Sequence, residues 1–594
     1  METRHRVLIC WSLMLLAASG CTSRVDDDQV TAHVANSELA ATARHKWSLK
    51  ESETKYLWDL EHHSNILVKF GFGAIAAALR EQDAEALRRQ CSADFAGSVF
   101  KQAQSVEVQD AVLTASRETL RDESRQPLDA DEFTAFLIEH CHRFASEPRV
   151  RFDVKTISPQ QRNDLTQNWT ALCVMRMWGD CHGDQPGELS VLFRAEFVEP
   201  TKANMNAPGW LLGCAIEQVA TNQASQFLFR EVAAGYNLDV GRLADNWTSE
   251  EKYPNTGGIF ACDFNRDNCV DLFITDVNPK GNGLFKGLPE GGFEDVTKEV
   301  GLQALRALRP PFCAAFVDLD NDGWEDLVFA EGIIWRNLQG QRFKSVTHES
   351  NMMELVQGFH QATEKSVYGL TVADYDRDGA MDLYVIRSGG LPVSWLEDTL
   401  REPVRNLLLR NVGNWQFADE TLTSKTDAAA RSVFTTLWFD ANNDLWPDLY
   451  VINEFGDGVL YVNQTDGSFR ELDIDKSTDD FGSMGLTCGD IDNDGNVDLY
   501  LAGMYSKAGS RVVGNMPRGV YPEDVMSRLR RLISGSELYQ NEGDLKFESR
   551  ASQYQVNDVG WAWGPTMADF NNDGFLDIFA TAGYMSRDRQ KPDG

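Results

Sequence analysis

The chain has 594 residues, of which 42% are hydrophobic and 10% aromatic, so its length suits two or three domains with a large core. Its formal net charge of −34 at pH 7 argues against nucleic acid as a partner, because nucleic-acid binding rests on basic side chains that neutralise phosphates. The acidic excess instead indicates a self-repelling, well hydrated surface.

Residues 1–21 have the pattern of an export signal. Arg4 and Arg6 precede an apolar run from Val7 to Ala18, which is too short to span a membrane as a stable helix. The run ends in Ala18-Ser19-Gly20-Cys21, which resembles the lipobox of bacterial lipoproteins, although Ala18 stands where leucine is usual. The resemblance implies lipidation of Cys21. The alternative is an ordinary signal peptide with an incidental cysteine.

Lipidation would place the protein in the cell envelope, facing the periplasm or the outer surface, with the lipid as its membrane anchor. Residues 22–51 are polar and include Asp26-Asp27-Asp28, so they are predicted to form a tether. We therefore divide the chain into a lipoprotein signal peptide (1–21), the tether (22–51), an α+β domain (52–225) and a repeat region (226–594).

The α+β domain is predicted from its periodicity. Apolar residues recur at helical spacing in three segments, Leu57–Leu79, Ala84–Phe95 and Asp131–Phe144. Alternating apolar and polar residues then predict four strands, at Val150–Ile157, Trp169–Trp178, Glu188–Phe197 and Gly209–Val219. The stretch from Ala76 to Phe95 resembles the entry of a nuclear-transport-factor-like cone. Such cones often enclose a small-molecule pocket, and others are interaction modules.

A nine-residue acidic loop recurs six times in the repeat region. Its copies begin 55, 56, 66, 50 and 79 residues apart, each the size of one four-stranded sheet, so the recurrence predicts a propeller or a solenoid. Positions 1, 3, 5 and 9 of each copy carry Asp or Asn, and an apolar strand follows. These residues are Asp263, Asn265, Asp267 and Asp271; Asp318, Asp320, Asp322 and Asp326; Asp374, Asp376, Asp378 and Asp382; Asp440, Asn442, Asp444 and Asp448; Asp490, Asp492, Asp494 and Asp498; Asp569, Asn571, Asp573 and Asp577.

This spacing is typical of a metal-binding loop. Alternate residues of a tight turn point inward, and Ca²⁺ takes six to eight oxygen ligands at about 2.3–2.6 Å in irregular geometry. Glycine at position 6 permits the left-handed backbone that turns the chain around the ion. The loops are therefore predicted to bind up to six Ca²⁺ ions with a structural role. The alternatives are Asp-rich turns that bond only their own backbone, and Mg²⁺ or Mn²⁺ in the same cage.

Two copies depart from the pattern. The first has Asn268 at position 6, a residue that tolerates a left-handed backbone. The fourth has Leu445 at position 6 and Pro447 at position 8, so we expect this loop to bind calcium most weakly.

The loop and its surroundings resemble the FG-GAP/VCBS repeats, the calcium-loop β-propellers also found in integrin α-chain heads. A small-residue strand such as Tyr368–Ala373 precedes the loop, and an Asn-ended strand such as Leu460–Asn463 and a Phe-led strand such as Phe469–Leu472 follow it. This fuller unit resembles the cartilage-acidic-protein-like branch, whose ASPIC/UnbV module does not occur in these 594 residues. The resemblance covers about residues 227–594 and implies an all-β propeller.

Six blades fit the six loops best. Phe229–Val232 resembles a Phe-led strand with no loop before it, whereas neither an Asn-ended nor a Phe-led strand follows Leu576–Ala580. Residues 227–233 are therefore predicted to complete the last blade as a clasp, which would remove exposed sheet edges. The alternative is a seventh blade, or a missing C-terminal segment.

An insert before the sixth loop, Pro522–Ile533, has the period of an amphipathic helix, with Val525, Met526 and Leu529 on one side. We predict that it packs on the fifth blade as a surface decoration. Docking of an acidic partner is the alternative.

The sequence contains no G-x-S-x-G, phosphate-loop or HExxH motif. The leading hypothesis is a calcium-stabilised, non-enzymatic envelope lipoprotein that binds a protein or a glycan, by analogy of fold with adhesion proteins. One alternative is an enzyme that acts on polysaccharide, because some calcium-loop propellers resemble polysaccharide lyases. The other is a purely structural component of the envelope.

Overall fold

A computed structural model describes residues 49–582, with gaps at 102, 110–112, 121–123, 184, 227–228, 231, 239–257, 276–281, 308–312, 358–365, 389–404, 429–430, 432, 454–455 and 475–481. The predicted signal peptide, Cys21 and residues 22–48 of the tether lie outside the described residues. In the described part, no helix is long and apolar enough to cross a membrane. The chain divides into two compact units, with described residues 49–230 and 506–523 in the first and 231–505 and 524–582 in the second.

The first unit begins with consecutive helical segments that bury their apolar residues. The first of these are α1 (Glu51–Ile66), a π-helical segment (Leu67–Phe72), α2 (Gly73–Glu81) and α3 (Ala84–Arg88), and two helices follow later in the chain, α4 (Ala130–Cys141) and α5 (Lys202–Met205). Asp83 caps α3 by accepting a hydrogen bond from the Ala86 N–H at 2.8 Å. Leu57 and Leu60 of α1 are buried in the core of this unit. The predicted helices are confirmed from α1 to α4, with the second one ending early at Arg88, whereas α5 has no counterpart in the prediction.

Eight strands of the first unit form one sheet. They are β1 (Cys91–Phe100), β2 (Ala103–Gln109), β3 (Leu113–Leu120), β4 (Arg125–Leu128), β5 (Arg149–Gln161), β6 (Asp164–Cys181), β7 (Gln185–Phe197) and β8 (Leu211–Ala224). The order is β2-β3-β8-β7-β6-β5, and β1 pairs with β8 in parallel and with β4 antiparallel. The four predicted strands are confirmed as β5 to β8. Phe95, predicted as helical, instead lies in β1.

The second unit contains five four-stranded antiparallel sheets and one sheet with two described strands, in chain order. Their strands are β9 (Ile259–Cys262), β10 (Asp271–Ile274), β11 (Gly283–Gly287), β12 (Phe293–Asp295); β13 (Ala314–Val317), β14 (Asp326–Phe329), β15 (Ile334–Asn337), β16 (Phe343–Ser345); β17 (Ser366–Ala373), β18 (Asp382–Ser388), β19 (Leu407–Asn411), β20 (Phe417–Asp419); β21 (Val433–Phe439), β22 (Asp448–Asn453), β23 (Val459–Asn463), β24 (Phe469–Leu472); β25 (Ser483–Gly489), β26 (Asp498–Gly503), β27 (Glu537–Asn541), β28 (Phe547–Ser549); β29 (Ala562–Ala568), β30 (Asp577–Ala582).

In each of these sheets the acidic loop joins the first strand to the second. In the fourth and fifth sheets the second strand is apolar because it is buried on both faces, with all six residues of β22 and of β26 buried. The second strand of the sixth sheet, β30, has no buried residue. The first strand of each sheet lies beside the first strand of the next, from β9 through to β29. The predicted repeat of four-stranded sheets is therefore confirmed for five copies, while the number of blades stays a prediction.

Short helices follow in the connections between successive sheets and, in the fifth sheet, between its second and third strands. They are a 3₁₀ helix (Gln303–Ala307), α6 (Met352–Gln357), α7 (Thr421–Ser424), α8 (Lys507–Gly514), α9 (Glu523–Ser534) and α10 (Ala551–Tyr554). Helix α9 coincides with the predicted amphipathic insert, and its Val525 and Met526 are buried. Helix α8 was not predicted, and it belongs to the first unit.

Residues 232–238 turn onto the first sheet of the second unit. The Phe293 N–H at the start of β12 donates to the Tyr236 carbonyl at 3.0 Å, just as the Phe343 N–H at the start of β16 donates to the Val300 carbonyl at 2.7 Å. The turn at 232–238 therefore contacts the first sheet through the same hydrogen bond by which the turn after the first sheet contacts the second.

The predicted clasp at 227–233 does not form a strand in its described residues, 229–230 and 232–233. Residues 227, 228 and 231 of this segment lie outside the described part. The described segment instead leads into the turn that contacts the first sheet. Backbone hydrogen bonds within this segment stabilise the turn, as where the Leu238 N–H donates to the Ala233 carbonyl at 2.8 Å.

Candidate metal centres

Three of the six acidic loops bring carboxylates from positions 1, 3 and 9 together. In each of these groups, one carboxylate oxygen per residue lies within 4.8 Å of the others. The groups are Asp318, Asp320 and Asp326; Asp374, Asp376 and Asp382; and Asp490, Asp492 and Asp498. The first, fourth and sixth loops carry an asparagine at position 3, namely Asn265, Asn442 and Asn571, and therefore have one carboxylate fewer.

The backbone of each loop folds around the position 1 carboxylate. In the fifth loop, the Asp494 and Gly495 N–H groups donate to the two oxygens of Asp490 at 3.0 and 2.9 Å. The Asn496 N–H then donates to Asp494 at 2.8 Å. Positions 4 and 6 both have positive φ, 60° at Asn493 and 91° at Gly495, which explains the preference for Asn and Gly at these positions.

The position 9 carboxylate is the most buried part of each loop. In the fifth loop, Asp498 accepts the Ile491 N–H at 2.9 Å through one oxygen and the Asn541 N–H, at the end of the third strand, at 2.7 Å through the other. The equivalent residues of the five four-stranded sheets are at most 1% exposed, which places a carboxylate where water does not reach it. They are Asp271, Asp326, Asp382, Asp448 and Asp498.

Burial raises the pKa of these carboxyls, to about 7 for Asp326 and Asp382 and to about 6 for Asp271, Asp448 and Asp498. The two backbone N–H donors lower the pKa in each case, whereas other carboxylates of the same loop raise it further. Such a buried carboxylate is costly unless a cation compensates its charge.

The donor set fits a hard divalent cation. In the third loop, Oδ1 of Asp374 is buried and accepts no hydrogen bond, although it belongs to the group with Asp376 and Asp382. A bound cation would coordinate this oxygen and would compensate the negative charge of Asp382. All converging atoms are carboxylate oxygens, which are ligands of Ca²⁺ and Mg²⁺, and Ca²⁺ better tolerates the irregular geometry of a loop.

Basic side chains neutralise the outer side of three loops. Nη2 of Arg336 lies 2.8 Å from Asp320 and 2.9 Å from Asp322. Lys286 contacts Asp267 at 2.9 Å in the first loop, and Arg410 takes the place of Arg336 in the third. These cations meet positions 3 and 5 and not the buried position 9. All three basic residues stand one residue before the end of the third strand of their sheet. This position can be read from the sequence, but the contact with the acidic loop cannot.

The fourth loop keeps the common geometry despite its departures. The Leu445 N–H donates to Asp440 at 2.7 Å, as glycine does elsewhere, with φ at 70° and the side chain 73% exposed. Leucine thus bears a left-handed strain of about 1–2 kcal/mol. Weak calcium binding by this loop stays a prediction.

Replacing Leu445 by Gly is expected to raise the free energy of unfolding by up to about 1 kcal/mol, because the relief of strain exceeds the entropy that glycine adds to the unfolded chain. Urea unfolding measures the change. Leu445→Ala is the matched control, since alanine keeps the strained φ and should give no gain. A destabilised glycine variant would contradict the assignment of strain.

In calcium-free protein, the stability of the second unit is expected to fall as the pH rises from about 4 to about 7. The carboxyl of Asp326 has an ordinary pKa of 3.8 in the unfolded chain and about 7 when folded. Between these two pKa values the folded protein binds more protons than the unfolded chain. The resulting stabilisation is fully present below the unfolded pKa of 3.8 and is lost as the pH rises through the folded pKa of about 7.

Urea midpoints in EGTA at about pH 5 and about pH 7.5 measure this dependence. Saturating calcium should abolish the fall, because the cation favours the ionised carboxylate. A midpoint in EGTA that is higher at the upper pH would contradict the burial of these groups.

A separate cavity lies in the core of the first unit. It offers about 20 Å³ and is lined only by apolar side chains, including Phe72, Phe133, Phe152 and Phe193. Small-molecule sites typically measure about 300–1,000 Å³ and contain a few polar groups. This cavity is therefore a packing defect and does not support a small-molecule site there.

Comparison with known proteins agrees with the repeat pattern. A model of the FG-GAP-like repeat matches residues 263–329, 440–501 and 524–580. No curated protein is significantly similar to the chain.

Two crystal structures of rhamnogalacturonan lyases are among the similar structures. The exotype enzyme YesX is 10% identical, with 73% of this chain and 54% of that chain covered and a TM-score of 0.23. The lyase YesW is also 10% identical, with 80% and 64% covered and a TM-score of 0.23. The chain thus spans less than two thirds of the length of either lyase, and similarity at this level carries no argument about function. The chain contains FG-GAP-like repeats in three regions, which together include the first, second, fourth, fifth and sixth acidic loops.

Proposed function

We propose that this chain is a calcium-stabilised β-propeller that binds a protein or glycan partner and is not an enzyme. The observation that carries the proposal is the burial of five position 9 carboxylates, none of which forms an ion pair with a basic side chain among the described residues. Ca²⁺ at these loops would compensate the buried charge and fix the first hairpin of each sheet.

Two features of the second unit support a propeller of six blades. The first strands of successive sheets are neighbours, which is the arrangement of strands around a propeller axis. The turn at 232–238 contacts the first sheet in the same way that residues 296–302 contact the second. This is expected if the sheets form a closed ring in which the sixth sheet is the neighbour of the first.

The proposed activity is recognition. Propellers present loops on a rigid scaffold, an arrangement that suits binding of a large partner. The test is a screen of the full chain against glycans and envelope proteins, with calcium and with EGTA, together with an assay for cleavage of acidic polysaccharide. Saturable, calcium-dependent binding without cleavage supports recognition, whereas cleavage would replace it by the lyase alternative.

We further propose that Cys21 is lipidated and holds the protein in the cell envelope. Metabolic labelling with a fatty acid tests this in a bacterial host. Cys21→Ser should abolish the label and release the protein from the membrane fraction, and Cys10→Ser, within the apolar run of the signal, is the matched control. Label retained by Cys21→Ser would contradict the proposal.

A further inference from the structure

We propose that the acidic loops form one coupled array, so that calcium bound at one loop strengthens binding at its neighbours. This inference rests on the proposed calcium binding. It is carried by two sets of contacts along the chain, a buried set that connects the first five loops and a surface set that connects all six.

A buried asparagine at the end of the third strand makes the first connection. In the third sheet, the Asn411 N–H donates to the position 9 carboxylate of its own loop, Asp382, at 2.8 Å. Its Nδ2 donates to the Leu319 carbonyl, at position 2 of the preceding loop, at 2.9 Å. The Leu319 N–H in turn donates to Asp326, the position 9 carboxylate of that preceding loop, at 3.1 Å.

The same relay recurs in each sheet from the second to the fifth. The asparagine Nδ2 to position 2 carbonyl distances are 2.8 Å for Asn337 to Phe264, 2.9 Å for Asn463 to Tyr375 and 2.9 Å for Asn541 to Ala441. All four asparagines are at most 3% exposed. Five candidate ligands, Asp271, Asp326, Asp382, Asp448 and Asp498, are therefore joined by one continuous path of buried hydrogen bonds.

This path transmits a change of charge or position at a carboxylate. The residue at position 2 is held at its N–H by one carboxylate and at its carbonyl by the next asparagine, so that it is fixed on both sides of its Cα. A cation that fixes Asp326 therefore also fixes Leu319, whose carbonyl accepts from Asn411, and so lowers the cost of ordering the next loop.

The side chain at position 4 makes the second connection, at the surface. Its positive φ directs each residue toward the following loop: Asn321 donates to the Gly379 carbonyl, Asn443 to Asn496 and Asn493 to the Gly574 carbonyl, each at 2.9 Å. Arginines take this role twice, with Arg266 over the ring of Trp324 at 4.9 Å and Arg377 over that of Trp446 at 5.3 Å. Each loop from the first to the fifth thus contacts its successor.

Native mass spectrometry of the full chain at limiting calcium tests the coupling, because it resolves the number of ions on each molecule. Coupled loops give mostly empty and nearly full molecules, with intermediate states depleted. The variant Asn321→Gly with Asn443→Gly removes two surface connections while glycine keeps the left-handed backbone. We expect it to bind the same maximum number of ions with about fivefold weaker affinity, the lower end of typical coupling, and with intermediate states restored.

Asn572→Gly is the matched control. Asn572 has the same position and φ in the sixth loop, and it donates no hydrogen bond to another loop within the described residues. It should leave the distribution of bound ions unchanged. A random distribution in the unmodified protein, or an equal effect of Asn572→Gly, would overturn the coupling and leave calcium binding standing. A chain that binds no calcium would overturn both proposals.

Discussion

Replacing Asp382 by Ala is expected to lower the free energy of unfolding by about 4 kcal/mol in calcium at about 100-fold its Kd. Loss of one ion at that concentration accounts for about 2.7 kcal/mol. At least about 1 kcal/mol more follows because the buried Tyr375 and Asn411 N–H groups, 3.3 and 2.8 Å from Asp382, lose their acceptor. In EGTA the loss should be smaller, because the variant also removes a buried charge that no cation compensates.

Urea unfolding in calcium and in EGTA measures both values. Asp466→Ala is the control, since Asp466 accepts the Ser468 N–H in an exposed turn outside the acidic loops. It should cost less than about 1 kcal/mol, the usual range for an exposed hydrogen bond, and should not depend on calcium. Equal effects of the two substitutions, or a calcium-independent effect of Asp382→Ala, would contradict the assignment of Asp382 as a ligand.

Replacing Arg511 by Ala is expected to destabilise the first unit by about 3 kcal/mol. The carboxylate of Glu61 is largely buried, and the substitution removes its counter-charge. Nε and Nη2 of Arg511 donate to the two oxygens of Glu61 at 2.8 and 2.7 Å, and Nη1 donates to the Val154 carbonyl at 2.8 Å. The two side chains are only 12% and 19% exposed. Val512, the next residue, is part of the same apolar core.

Lys55→Ala is the matched control, on the helix that carries Glu61. Lys55 pairs with Asp59 one turn along α1, but its side chain is 74% exposed, so its loss should cost less than about 0.5 kcal/mol. The double variant Arg511→Met with Glu61→Met should be more stable than Arg511→Ala, since no charge is left unpaired. Unfolding followed by circular dichroism compares the variants, and an Arg511→Ala protein as stable as Lys55→Ala would contradict this account of α8.

The sequence predicts the acidic loops well because their chemistry is local. Asp490 and Asp492 converge through the turn itself, and Asp498 follows the glycine of the same loop at a fixed offset, so the three are recognisable without knowledge of the fold. The role of Asn541 is not local. The strand ending in asparagine is visible, but the carbonyl that it contacts, that of Ala441, lies 100 residues earlier in the preceding sheet. Only the packing of successive sheets reveals this connection.

In the first unit, too, contacts between residues distant in sequence could not be predicted. Strands β5 to β8 follow from alternation, whereas Phe95 was assigned to a helix because its spacing from Leu87 fits one. Pairing of β1 with β8 and β4 overrides that local pattern. The place of α8 was also unpredictable, because Arg511 and its partner Glu61 are 450 residues apart in sequence.

Calcium binding by the acidic loops is tested most directly by elemental analysis of the full chain, together with thermal melting in calcium and in EGTA. We expect about four to six Ca²⁺ per chain, from the oxygen ligands that each loop supplies. The melting temperature should be at least about 10 °C lower in EGTA, since several ions each contribute about 2.7 kcal/mol at 100-fold their Kd. A chain without bound metal and with the same melting temperature in both buffers would show that the six loops are acidic turns and not calcium sites.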